Sequence, residues 1–288
     1  MNLALSVIAW YLTSIICTTT TREINFVTKI TLTMNQFIVA SICSYAICGF
    51  KPKQLPKRQK PKMWILALSC LMGMFTLNLA IGVMHVALAM TMRAMEPLFT
   101  LALAFAISQG STLNISAFVS LILIVIGAGL SSISSVDYNT MGLFLVGVSN
   151  FSFATRAIVY KDVKAASGLN SFEMFYHISK YVIVLGGALW ILFFEGGIVT
   201  DPSKLLLLLV NGVCFFAYLQ LSVIVLAKVS AITHGVMNTM RRPVTIAAST
   251  IWFGRDLSYS NKIGMFLACL GSIMYSLSQM MMKKRQVR

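Results

Sequence analysis

Ten stretches of about 20 residues, each apolar enough to cross a bilayer, follow one another with only short loops between them. They run over residues 2–20, 30–50, 64–83, 87–108, 115–134, 140–160, 171–194, 204–227, 231–253 and 262–282. Lipid offers no hydrogen-bond partner to a backbone amide, so a segment of this length crosses as a helix that satisfies its own backbone. The ten segments consume almost all of the 288 residues, which leaves no room for a large soluble domain. Only 11% of the residues are charged, against about a quarter in a soluble domain. The expected fold is all-α: a polytopic membrane protein of ten transmembrane helices.

The charges that remain are unevenly placed. The net charge is +15, and much of the excess lies in Lys51–Lys62 (KPKQLPKRQKPK) and in the C-terminal KKRQVR. Basic blocks that flank apolar helices set orientation and contact anionic lipid. No interleaving of aromatic and basic residues suggests base stacking, so nucleic acid is not an expected partner; the lipid bilayer is. With ten crossings, thirteen basic residues fall on the face that carries both termini and five (Arg22, Lys29, Lys204, Arg255 and Lys262) on the other. That asymmetry places both termini on the cytosol-like face. The first apolar stretch starts almost at Met1, with neither a cleavable signal nor a transit peptide before it, so targeting is internal or a leader is missing.

One apolar segment carries an anomaly. Within Ala231–Thr250, AITHGVMNTMRRPVTIAAST, Arg241 and Arg242 stand side by side before Pro243. An arginine at the bilayer centre costs roughly 2.5–3.5 kcal/mol on insertion scales. Two in succession persist only if they face an aqueous cavity and hold something there, and a guanidinium, always charged and fork-shaped, holds an anion such as phosphate or carboxylate. The competing reading places the pair at a helix end, snorkelling to the headgroups.

The pattern recurs. Thr91-Met92-Arg93 followed by Glu96-Pro97 parallels Thr239-Met240-Arg241 followed by Arg242-Pro243. Each precedes a glycine-bearing apolar helix, with Gly127 and Gly129 in one and Gly271 in the other. Two halves of five helices, residues 1–136 and 137–288, then have opposite orientations in the membrane. This is the inverted repeat of many secondary transporters, whose substrate site lies at the repeat interface near the midplane. Arg93 falls opposite Arg241 across the pseudo-two-fold axis, and three guanidiniums converge. Glu96 is placed to pair with Arg93 at i,i+3, a structural bridge that needs no ligand. Asn238 shares a face with Arg241 and Arg242 and can orient them, or act as interhelical glue. Tyr218, in FFAYLQ, can donate to a phosphate oxygen. Arg156, Tyr160 and Lys161 read as an interfacial anchor, and Glu173, His177 and Lys180 as one polar stripe whose histidine is packed and hydrogen-bonded.

Other chemistries find little support. Six cysteines, none in a CxxC pair, sit in apolar segments, and three histidines are scattered, so no disulfide, metal site or cofactor is expected. No Ser-His-Asp set, acid pair or glycine-rich phosphate loop indicates an enzyme, and no catalytic residues are assigned.

YLQLSVIVLAKVSAITHGVMNTMRRPVTIAAS and MTMRAMEPLFTLALA resemble the triose-phosphate/phosphate translocator family of the drug/metabolite transporter superfamily, and ATRAIVYKDVKAA is similar to its Arg…Tyr-Lys run. The resemblance spans about residues 5–282. It implies ten helices and strict exchange of a phosphorylated metabolite for inorganic phosphate. It also implies a substrate phosphate held by three basic residues and a tyrosine, matched by motif to Arg93, Arg241, Arg242 and Tyr218. Both family lysines are arginine here, and the place of the helix-three histidine falls at Met74. The expected function is therefore an antiporter of triose phosphate, phosphoenolpyruvate or another sugar phosphate against inorganic phosphate. It would sit as a monomer or weak dimer in an organelle membrane, the plastid envelope or the Golgi or endoplasmic reticulum. The rivals are a nucleotide-sugar/nucleotide antiporter on the same scaffold and a non-transporting membrane scaffold. Three positive midmembrane charges against one negative argue against the scaffold.

Overall fold

The computed structural model describes residues 2–107, 115–133, 139–192, 200–226, 228–229, 231–254 and 258–286. Its described residues form eleven α-helices and one 3-10 turn, with no strand among them. The helices are α1 (Leu3–Glu23), α2 (Lys29–Ile47), α3 (Lys60–Val83), α4 (Val86–Arg93), α5 (Glu96–Ile107), α6 (Ile115–Ile133), α7 (Thr140–Ser167), α8 (Ser171–Leu192), α9 (Pro202–Leu226), α10 (Ala231–Trp252) and α11 (Tyr259–Gln286). Among the described residues, seven spans are long and apolar enough to cross a membrane; α6 is a shorter apolar helix, and α10 carries the arginine pair. The expected helix ends at 108, 134, 194 and 227, the half boundary at 136–137, and Arg255 and Arg288 lie outside the described residues.

The main departure from expectation is the fourth segment, which is two helices. The cause is Pro97. It has no N–H to give to the carbonyl four residues back, that of Arg93, and it disfavours helix at Glu96. The chain crosses the break on short i→i+3 bonds, Ala94 N to Thr91 O at 2.9 Å and Met95 N to Met92 O at 3.1 Å. Carbonyls released at such a break need partners at membrane depth. Three side chains from three other helices bond carbonyls at the break, that of Met92 in addition to its Met95 bond. Asn150 of α7 donates to Met92 O at 3.0 Å, Arg242 of α10 to Arg93 O at 2.7 Å, and Ser272 of α11 to Ala94 O at 3.2 Å.

The helix pairs are α3 with α7, α1 with α9, α2 with α8 and α9, α5 with α7, α4 with α10, and α6 with α11. The last contact is backbone against backbone. A Cβ on Gly264 would lie 2.5 Å from Ser131 N, one on Gly271 2.8 Å from Ser120 O, and one on Gly127 would strike Ala268 N. Gly129 meets nothing within 4 Å, so of the glycines singled out in the sequence Gly127 and Gly271 make the contact, joined by Gly264.

At one end of the bundle the α2–α3 loop is clasped by α8. Lys53 N donates to Glu173 Oε1 at 3.3 Å, and His177 Nε2 lies 2.8 Å from Lys53 O. The histidine is thus packed and hydrogen-bonded, as its place in the polar stripe suggested. The opposite end gathers the α1–α2 and α3–α4 connections, with Trp252 at the end of α10 donating to Glu23 Oε1 at 2.7 Å.

Candidate functional site

Between α1, α3, α4, α7, α9 and α10 lies a cavity of about 230 Å³. A smaller lobe of about 70 Å³ shares Met74, Arg93, Arg156, Tyr218, Leu219 and Arg241 with it. All six residues singled out from the sequence, Arg93, Glu96, Tyr218, Asn238, Arg241 and Arg242, line the larger cavity.

Their arrangement follows from the break in the fourth span. Arg93 ends α4 and Glu96 starts α5, so the short turn between them brings Arg93 Nη2 to 3.0 Å from Glu96 Oε2. The same oxygen accepts Arg242 Nη2 at 2.9 Å. One carboxylate oxygen therefore serves two arginines, where the i,i+3 spacing suggested a single pair. The three side chains are 18–21% exposed, sheltered but in reach of the cavity. Arg241 points differently. Its Nη1 donates to Ser14 Oγ at 3.0 Å, and its guanidinium lies 5.1 Å from the centre of the Tyr218 ring and 5.8 Å from that of Trp10. Its Nε is buried with no hydrogen-bond partner among the described residues. Tyr218 packs edge-on against Phe215, at 5.8 Å between centroids. Asn238 is exposed in the cavity wall, and among the described residues no hydrogen bond joins it to either arginine.

A fourth guanidinium belongs to the site. Arg156, expected as an interfacial anchor, lines both lobes and lies 4.7 Å from the centre of the Phe153 ring, which Arg93 also faces at 4.3 Å. The expectation failed because α7 runs to Ser167 rather than ending near 160, which puts Arg156 three turns inside the helix. Gly73 of α3 makes room for the Phe153 ring, which a Cβ there would approach to 3.1 Å. Met74, the position without a histidine, is in the wall of both lobes.

The second missed feature is a buried amide network towards the α1–α2 end. Asn78 donates to Thr33 Oγ1 at 2.9 Å and to Gln36 Oε1 at 3.0 Å. Gln36 donates to Asn211 Oδ1 at 2.9 Å, and Asn211 to Thr20 Oγ1 at 2.8 Å and Thr21 Oγ1 at 3.0 Å. It joins α1, α2, α3 and α9, and Gln36, Asn78 and Thr21 face the cavity. Isolated amides in apolar spans were the available signal, since such groups demand partners in lipid.

Chemically, among the described residues, four guanidiniums and one carboxylate line a small cavity. Forked donors of this kind match the oxygens of a phosphate or carboxylate in charge and shape.

The fold has a solved counterpart, a crystal structure that superposes with a TM-score of 0.61 over 96% of both chains at 14% identity. By sequence the chain is 29% identical to the triose phosphate/phosphate translocator of non-green plastids from Brassica oleracea var. botrytis, over 96% of this chain and 72% of that one. It is 29% identical to phosphoenolpyruvate/phosphate translocator 1 from Arabidopsis thaliana, over 96% and 71%. It is 30% identical to the triose phosphate/phosphate translocator of Spinacia oleracea, over 82% and 62%. The profile of the Triose-phosphate Transporter family matches residues 1–276, a span that takes in every residue of the arginine-lined cavity, and the chain belongs to that membrane transporter family.

Proposed function

We propose that this protein exchanges a phosphorylated small metabolite for inorganic phosphate across an organelle membrane, by alternating access of the central cavity. The observation that carries the reading is the charge imbalance among the described residues of the cavity: Arg93, Arg156, Arg241 and Arg242 against Glu96 alone. A structural ion-pair cluster would balance its charges; an anion carrier leaves them for the cargo. The relatives' names point to triose phosphate or phosphoenolpyruvate against phosphate, in chloroplasts. A nucleotide sugar is disfavoured by size, since a cavity of about 230 Å³ is below the roughly 300–1,000 Å³ that encloses a drug-sized ligand.

The pattern of helix pairing supports a reading in which two inverted halves rock against each other. The principal helix pairs are kept when α1, α2, α3, α4–α5 and α6 are exchanged for α7, α8, α9, α10 and α11. The α3–α7 pair becomes α9–α1, and α3–α8 becomes α9–α2. The α2–α8, α4–α10 and α6–α11 pairs map onto themselves. A binding site on that axis is the arrangement of inverted-repeat carriers.

Exchange follows from electrostatics. In a low-dielectric site like charges repel strongly. Closing the halves over an empty cavity buries about three uncompensated positive charges, whereas a bound dianion offsets most of them. The loaded carrier crosses and the empty one stalls. Liposomes preloaded with phosphate should therefore take up labelled triose phosphate or phosphoenolpyruvate far faster than empty liposomes. Equal uptake into both would overturn the exchange mechanism, and uptake of a nucleotide sugar in preference to every sugar phosphate would overturn the substrate class.

A further inference from the structure

The cavity is shut at its α1–α2 end by Thr21 and Ile81, each 2% exposed, while Asn238 at its other end is exposed. Two cations hold that shut end from behind. Arg22 Nη1 donates to Ile81 O at 2.6 Å and Met84 O at 3.3 Å, and also to Gly82 O. Lys29 Nζ donates to Thr21 O at 3.1 Å and Ile24 O at 2.5 Å. These acceptors are the free carbonyls at the ends of α1 and α3, the negative ends of both helix dipoles. Each cation reaches to an element other than its own. Arg22, of α1, holds α3; Lys29, of α2, holds α1. The carbonyls they hold include those of Thr21 and Ile81, the two residues that close the cavity. Gly82 lets the two side chains converge, since a Cβ there would lie 3.0 Å from Lys29 Cε.

Among the described residues neither cation has a carboxylate partner. Glu23, next to Arg22, accepts instead from Trp252. A carbonyl carries only a partial charge, so these bonds leave the positive charge unneutralised, and a dianion competes for it with stronger, charge-assisted bonds.

We propose that Arg22 and Lys29 form a second anion site at this mouth, which takes the phosphate group of arriving substrate when the mouth is open. When it is shut the same two side chains latch onto the helix-end carbonyls, as seen here. The proposal rests on the transporter reading for its ligand, but the latch can be tested without transport. Cys17 lines the cavity and is 5% exposed. In a protein that keeps Cys17 and has the other five cysteines replaced by alanine, a membrane-impermeant maleimide added at the α1–α2 face should label Cys17 slowly. Arg22→Gln with Lys29→Gln should raise that rate by about tenfold or more, the equilibrium shift expected from losing a charge-assisted bond. Labelling from the opposite face should fall. A pair that merely capped the helices would lower stability and leave sidedness alone.

For the anion role, inorganic phosphate is the probe. Arg22→Gln alone should raise the apparent KM for phosphate supplied at the α1–α2 face by about tenfold and leave the KM at the other face unchanged. Unchanged labelling in the double variant, or equal KM changes at both faces, overturns the proposal. If the double variant loses its thermal transition, Gly82→Val, which displaces Lys29, takes its place under the same criteria. Cys17 labelling that shifts as expected in a protein that moves no phosphate would fail the transport reading and leave the latch standing.

Discussion

Arg242 performs two tasks that separate only at the level of atoms. One nitrogen meets Glu96 beside the cavity; another takes the carbonyl of Arg93 that Pro97 leaves without a partner. Arg242→Ala removes both and should abolish exchange. Arg242→Lys keeps a charge but loses the fork, so it should retain part of the activity; the check is counter-exchange of labelled phosphate with each variant. Full activity in the alanine variant would remove Arg242 from the site. Tyr218 offers a gentler change. Its hydroxyl has no hydrogen-bond partner among the described residues, and its ring lies under Arg241. A hydrogen bond to a charged group contributes about 1.5–3 kcal/mol, so Tyr218→Phe should weaken apparent affinity roughly 10- to 100-fold without abolishing transport. Affinities that stay the same for all phosphorylated substrates would take the phenol out of the site. The arginine pair was legible in the sequence because charge at membrane depth has few explanations. The sharing of one Glu96 oxygen was not, because it depends on how far α4 and α5 turn at the break.

Among the elements, α6 and α11 have the least tolerance. Their contact has no side chain between the backbones at Gly127, Gly264 and Gly271. Small residues allow such approach in membranes, where packing rather than hydrophobicity holds helices together. Gly127→Val would drive a side chain into the α11 backbone, which cannot move aside as a flexible side chain would. Overpacking of this kind costs about 1–3 kcal/mol, occasionally more, and should lower the thermal midpoint of the detergent-solubilised protein well beyond the effect of Gly129→Val. Similar midpoints for the two variants would contradict the close packing. Glycines in these helices were visible in the sequence, but which of them faced a neighbour depended on rotation about the helix axis. The same limit hid Arg156: its residue type was plain, its depth depended on where α7 ended.

The whole molecule adds the question of sidedness. The basic loop Lys51–Lys62 and the start of α1 share one end of the bundle, where Lys228 of the α9–α10 link lies 3.5 Å from Ser6 Oγ. Positive loops stay on the cytosolic side of insertion, so tags at the two termini should be equally accessible to protease from that side. Opposite protection of the two tags would sink the ten-crossing arrangement. Two of the five basic residues counted on the other face weigh less against it than their number suggests. Arg22 and Lys29 are bound to backbone carbonyls rather than facing lipid headgroups.

Local physics, written in the sequence, determined that this chain is helical and membrane-embedded, and pointed to an anion as the partner of its buried arginines. Apolar length decides what a bilayer accepts, and an excess of guanidiniums over carboxylates at that depth calls for a counter-charge. Pro97 stood in the sequence, yet the fourth span was expected as one helix, and the structure breaks it there. Only the tertiary structure decided who repaired it, since Asn150, Arg242 and Ser272 come from helices far along the chain. It also decided that Arg156 faces the cavity, that Gln36, Asn78 and Asn211 satisfy one another, and that Arg22 and Lys29 close over Thr21 and Ile81. Each of these is a pairing between distant residues, set by helix rotation, depth and crossing. Periodicity along one segment carries no information about a partner on another.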